Sequence, residues 1–240
     1  MPKRYDQYCP VAHALELVGE RWALLVVREL LGGPKRYTDL AGALPGIGTN
    51  ILASRLRDLE GAGVVQKRRL PPPAAANVYE LTEYGQELRE PLYALGRWGA
   101  RSLGPPTAKD NLAPGWLVNA VQATCRSCST DKVYELRIDD EAVTARFENR
   151  ELIVESGTAP DADTVIETDP ATLFCIASGQ TSIGDAVKTK ALNVTGDRAE
   201  AERFLSLFSF DERPREPKEP ISRTGEAGTA SPVGAVESAP

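Results

Sequence analysis

The chain has 240 residues, 42% of them hydrophobic and 26% charged, and a formal net charge of −6; that length suits two domains, and no stretch approaches the roughly 18 uninterrupted apolar residues of a membrane span. An acidic whole argues against nucleic acid, yet the charge is divided. Residues 1–105 carry 14 Lys and Arg against 11 Asp and Glu, a net +3, and residues 106–240 carry 14 against 23, a net −9, so any affinity for DNA belongs to the N-terminal half.

Val11 to Val18 reads as a short helix, and Gly19 separates it from a second over Arg21 to Leu31. The second is apolar nearly all round, so it is expected to be buried at the centre of its domain. Gly32, Gly33 and Pro34 stop it. The next helix spans Tyr37 to Leu44, with Lys35 and Arg36 at its entrance, where N–H groups and cationic side chains favour a phosphate. Pro45, Gly46 and Gly48 turn the backbone sharply into a helix over 49–60, which Thr49 or Asn50 is placed to cap. Its residues Leu52, Leu56 and Leu59 recur at i, i+4 and i+7 and face a core. The opposite face carries Asn50, Ala53, Ser54 and Arg57, side chains suited to base edges in a major groove. Arg55 leans toward the buried side, to serve a phosphate or an internal carboxylate.

A hairpin follows, with strands at 64–69 and 78–81. Lys67, Arg68 and Arg69 stand at the mouth of its loop, and Pro71, Pro72 and Pro73 stiffen the tip so that it projects as a wing. Thr82 then caps a long helix in which Pro91 implies a kink or break. The residues Leu88, Leu92, Leu95 and Trp98, with Leu103 beyond them, form a stripe that would leave a large apolar patch in water unless a second subunit covers it. Such a dimer would set two recognition helices in successive major grooves roughly 34–36 Å apart.

Residues 104–115, with Pro105, Pro106 and Pro114, read as a linker, which gives domains at 1–103 and 116–210. In the second, Trp116 to Ala123 is a candidate helix, and β-type runs follow at 133–138, 143–147, 152–154 and 164–167. Asp169-Pro170 starts a helix through Leu173, Phe174 and Ile176; Leu192 to Thr195 adds a strand, and Arg198 to Phe208 closes the domain with an amphipathic helix. Residues 211–240 lack apolar periodicity and are expected to be a disordered tail.

The order of Cys9-Pro10-Val11, Gly19-Glu20-Arg21-Trp22, Leu30 through Tyr37, Pro45-Gly46-Ile47, Arg55 through Leu59, Gly63-Val64-Val65 and Tyr79-Glu80-Leu81-Thr82 resembles the HxlR-type winged-helix transcription regulators across residues 9–103. The resemblance implies a homodimer that binds operator DNA through Arg36, Thr49, Asn50, Ala53, Ser54, Arg55, Arg57, Lys67, Arg68 and Arg69. From Asp131 to Phe210, the residues Asp169 to Leu173, Gly179, Gly184-Asp185-Ala186 and Leu192 to Asp197 resemble the sterol-carrier-protein-2-like fold, which implies an apolar effector. Leu173, Ile176, Leu205 and Phe208 are nonetheless read as core. The fold class is therefore α+β, a winged helix-turn-helix domain followed by a smaller α+β domain.

With no export signal in Met-Pro-Lys-Arg-Tyr-Asp, a cytoplasmic protein with reduced thiols is expected. Cys9, beside a helix start, and the Cys125/Cys128 pair are candidate redox groups; for Cys9 the alternative is a small residue at the dimer seam. One pair of cysteines and the single His13 do not make a metal site, and neither a catalytic constellation nor a cofactor loop is present. The expected function is a ligand-modulated DNA-binding regulator; the alternative is a soluble lipid carrier whose N-terminal module serves dimerisation or protein contacts.

Overall fold

A computed structural model of the chain describes residues 5–73, 75–107, 109–110, 112, 115–125, 128 and 130–210; the expected tail lies outside the described residues. The N-terminal half is built from α1 (Pro10–Val18), α2 (Ala23–Leu31), α3 (Tyr37–Ala43), α4 (Thr49–Gly61), the hairpin β1 (Val65–Arg69) and β2 (Asn77–Leu81), then α5 (Glu83–Gln86) and α6 (Arg89–Ala100). Val26, Val27 and Leu30 of α2 are fully buried against Leu40 of α3 and Leu52, Leu56 and Leu59 of α4. This places α2 at the centre, as its composition implies.

Two details of α2 differ from the sequence reading. It begins at Ala23, because Trp22 lies in the left-handed region at φ 78° and cannot continue a right-handed helix. Its burial is also uneven: Leu25 is 38% exposed while Glu29 is 4% exposed. The buried carboxylate is held by Arg28, which donates to Oε1 from Nε at 3.0 Å and Nη2 at 2.7 Å, and by Lys35 Nζ, which donates to Oε2 at 2.9 Å. Backbone bonds from Lys35 N–H to the Tyr79 carbonyl (3.0 Å) and from Tyr79 N–H to the Lys35 carbonyl (2.8 Å) add a third extended segment to the hairpin.

The long helix expected after the wing is two helices. Thr82 caps α5 by accepting from the Gly85 N–H at 3.0 Å, and the break falls before Pro91, which occupies the first turn of α6 where its missing N–H costs no hydrogen bond.

The C-terminal half comprises α7 (Trp116–Thr124), β3 (Tyr134–Ile138), β4 (Glu141–Glu148), β5 (Glu151–Ser156), β6 (Thr164–Thr168), α8 (Pro170–Ala177), α9 (Ile183–Lys188), β7 (Leu192–Gly196) and α10 (Arg198–Ser206). The sheet order is β5-β4-β3-β6-β7, with β3 and β6 parallel and the other pairs antiparallel. Asn149 and Arg150 both take positive φ, 51° and 70°, in the two-residue turn between β4 and β5, the twist that joins right-handed strands. Asp169 caps α8 by accepting from the Thr172 N–H at 2.8 Å. Inside, Tyr134 stacks on Phe204 with centroids 4.3 Å apart, and Phe208 meets Phe204 edge-on at 5.2 Å. Leu173, Ile176, Leu205 and Phe208 are buried in this core.

The halves touch along α6 and α7. Tyr93 Oη donates to Gln122 Oε1 at 2.6 Å, Arg97 Nη1 to the Ala123 carbonyl at 2.8 Å, and Arg101 Nε to the Phe210 carbonyl at 3.0 Å.

Candidate nucleic-acid interface

Helix α4 is fixed from below and open above. Leu52, Leu56 and Leu59 are no more than 1% exposed, and Tyr37 Oη donates to the Thr49 carbonyl at 2.7 Å, which ties the first turn to α3. The cap differs from the expectation. Gly48, extended at φ −71° and ψ 146°, is the N-cap, and its carbonyl accepts from the Ile51 and Leu52 N–H groups, both at 3.0 Å. Thr49 and Asn50 are already helical, so neither side chain is drawn into a cap and both stand exposed in the first turn.

Arg57 is exposed beside them, its Nε donating to the Ala53 carbonyl at 3.3 Å; Ala53 and Ser54 are half-buried, with Ser54 Oγ 3.5 Å from Asp58 Oδ2. Arg55 turns inward instead. Its side chain is 15% exposed, with Nη1 3.3 Å from Glu20 Oε2 and Nη2 3.4 Å from Asp58 Oδ2, two carboxylates that are themselves more than half exposed. Sequence reasoning missed Ile51, 46% exposed on the outer face. An apolar residue immediately before the first core leucine was the signal, since neighbours on a helix cannot share one face.

The flanking cations are not equivalent. Arg36 is exposed at the start of α3, where its backbone N–H donates to Asp39 Oδ2 at 3.0 Å. In the hairpin Lys67, Arg68 and Arg69 are all exposed, but Arg68 grips Glu80 through Nε and Nη2, each at 2.8 Å, and Gln66 donates to the same carboxylate at 2.9 Å. The hydrogen-bonded ion pair holds the Glu80 carboxyl below its usual range and pushes the Arg68 guanidinium up. Lys67 lies 5.8 Å over the Tyr79 ring.

The expected dimer stripe is divided. Leu88 and Leu92 pack partly against the core of their own domain, whereas Leu95, Trp98 and Leu103 are 48, 67 and 79% exposed. Cys9 precedes α1 and is half-buried. Burial pushes the Cys125 thiol up to about 12, with the neighbouring Cys128 adding to the effect, and burial raises Cys128 as well. Both shifts oppose the lowering that activates a thiolate. Among the described residues no group of three or more His, Cys, Asp or Glu could hold a metal ion, and no helix is long and apolar enough to cross a membrane. The buried carboxylates Glu29 and Glu135 had no signature in the sequence; Glu135 accepts from Arg137 Nε and from the Ala159 N–H at 2.8 Å.

The profile of the HxlR-like helix-turn-helix family matches residues 17–106. The uncharacterized HTH-type transcriptional regulator sll1512 of Synechocystis is 35% identical over 107 residues, which cover 45% of this chain and 79% of that protein. The chain belongs to the HxlR-like helix-turn-helix family. A further relative, the HTH-type transcriptional regulator YodB of Bacillus subtilis, is 33% identical over 98 residues, 40% of this chain and 88% of its own. Among solved structures, the oxidized redox regulator HypR is 28% identical and covers 38% of this chain and 94% of its own, with a TM-score of 0.36. Quinone-bound YodB is 32% identical, covers 38% and 97%, and has a TM-score of 0.34. The SCP-2 sterol transfer family matches residues 122–209. This HxlR-type transcriptional regulator thus carries a winged helix-turn-helix domain followed by an SCP-2 domain.

Proposed function

We propose that this regulator binds a two-fold operator as a homodimer, with α4 in the major groove and the hairpin beside it, and that an apolar small molecule tunes its occupancy. The observation that carries the reading is the outer face of α4, where Thr49, Asn50 and Arg57 project from a helix whose inner leucines fix its position. Arg57 is assigned to guanine, through the bidentate geometry that a guanidinium offers to O6 and N7. Arg36, Lys67 and Arg69 are assigned to phosphates, which position the protein without reading sequence. Leu95, Trp98 and Leu103 supply the dimer face. An effector alters occupancy only by favouring one dimer geometry over another, because only differential affinity shifts an equilibrium.

The test begins with selection of bound duplexes from a random pool, followed by fluorescence-anisotropy titration at near-physiological salt. The expected outcome is a preferred, roughly palindromic site from which Arg57→Ala removes about 1–3 kcal/mol. A pool that converges on no site, with binding that only falls steeply with salt, would reject the regulator reading and favour a lipid carrier, the role to which the SCP-2 match lends support.

A further inference from the structure

Between the two halves lies a recess of about 370 Å3. Its walls include Trp22, Leu25 and Arg28 at α2, Pro45 in the turn between α3 and α4, and Trp116 and Asn119 on α7. The α7 wall falls outside both family matches, which end at residue 106 and begin at residue 122. Three observations mark the recess as a built site. Trp22 is held at φ 78°, a conformation that a bulky residue rarely adopts and that concentrates where ligands are clamped. Leu25 is 38% exposed on a helix in which Val26, Val27 and Leu30 are fully buried. The third observation is charge. Both oxygens of Glu29 are occupied, one by Arg28 and the other by Lys35, so two cations share one buried carboxylate and leave a net positive charge. Of the three, Arg28 and Glu29 line the recess, and because Lys35 shares in neutralising Glu29, part of the Arg28 charge is left for a ligand.

We propose that the recess binds a compact aromatic carboxylate, its rings against the indoles of Trp22 and Trp116 and its carboxylate toward the Arg28 guanidinium and the Asn119 amide. The volume sits at the lower end of the roughly 300–1,000 Å3 usual for small-molecule sites, which suits one or two rings. Flat apolar walls select the rings, and a single guanidinium only partly neutralised by Glu29 selects the anion. The inference rests on the ligand-tuned regulator reading and gives that reading a place of action different from the interior of the SCP-2 domain. Pro45 stands just before Gly48, the N-cap of α4, so a ligand bridging α7 and Pro45 couples the C-terminal half to the helix that reads DNA.

Isothermal titration calorimetry of the full chain tests the site with benzoate, 2-naphthoate and biphenyl-4-carboxylate, and with 2-naphthalenemethanol as the neutral counterpart. At least one acid should give saturable heat, and the alcohol should bind about tenfold more weakly than 2-naphthoate. Leu25→Trp, which fills the recess from a half-exposed position, should abolish binding, and Arg28→Gln should erase the preference for acid over alcohol, both with unchanged circular dichroism. If Leu25→Trp does not fold, Trp116→Ala replaces it, with binding weakened about tenfold or more. No saturable heat from any acid, or undiminished binding in the variants, would overturn the proposal. Anisotropy titration on the selected DNA, with and without saturating acid, separates the layers. Absence of DNA selectivity sinks the regulator reading while the calorimetric binding to the recess still stands; selective binding that the acid does not alter sinks the coupling through Pro45.

Discussion

Glu80 decides how much positive charge the hairpin can offer. Its carboxylate engages Arg68 and Gln66, so a phosphate approaching Arg68 must compete with a partner already in place. Each cation that neutralises a phosphate steepens the fall of log K with log salt by about 0.9. Glu80→Gln should therefore tighten DNA binding and steepen that slope by about one; anisotropy titrations across a salt series measure it, and an unchanged slope would mean that Arg68 does not reach the backbone. Cys125 makes a different prediction, on stability. Its thiol is raised by burial from an ordinary value near 9 to about 12. The sign follows from linkage: this proton-linked contribution is fully present below about 9, and it is lost as pH climbs toward about 12, at up to ~1.4 kcal/mol per unit, because the unfolded chain gives up the proton first. Urea titrations at about pH 8 and about pH 10 should show less alkaline loss in Cys125→Ala than in the parent. Equal losses would mean that the thiol ionises alike in both states.

Elements are joined here by a few close approaches. A Cβ added at Gly85 would lie 2.1 Å from the Val64 carbonyl oxygen, because α5 is pressed against the start of the wing, where Thr82 Oγ1 also donates to the Gly63 carbonyl at 2.6 Å. Gly85→Ala should cost about 3 kcal/mol in urea unfolding, as overpacking against backbone does; a loss below about 0.5 kcal/mol, the scale of an indifferent surface change, would show that α5 shifts freely. Helix α6 carries the assembly prediction. Trp98→Glu places a charge in the exposed stripe with Leu95 and Leu103, and size-exclusion chromatography with light scattering should show a dimer becoming a monomer. Most elements were readable from local signals: the leucines of α4 recur at helical spacing, and turn residues bracket the short β-type runs. Helix α9 was not, since six residues capped by Ser182 are too short to display a period. The break between α5 and α6 was expected at Pro91 and fell earlier, because proline is accommodated in a first helical turn.

At the scale of the whole molecule, the sequence disclosed each domain but not what lies between them. The outer face of α4 was legible from Asn50, Ser54 and Arg57, since one helix carries them all. The recess was not, because its walls come from α2 and the α3–α4 turn on one side and from Leu112, Trp116 and Asn119 on the other, and only tertiary packing brings such distant stretches together. Arg55 illustrates the same limit: its spacing allowed either phosphate or carboxylate, and the Glu20 it meets comes from another segment. The parallel pairing of β3 with β6 has a consequence in time. Tyr134 must wait for Thr164, across an intervening hairpin, before the second sheet has its centre, and by then the whole winged domain has already been synthesised. Contacts between remote segments form late, and domains emerging first from the ribosome fold first. Each newly made copy therefore passes through an interval in which its winged helix-turn-helix half is complete while its SCP-2 half is still being synthesised.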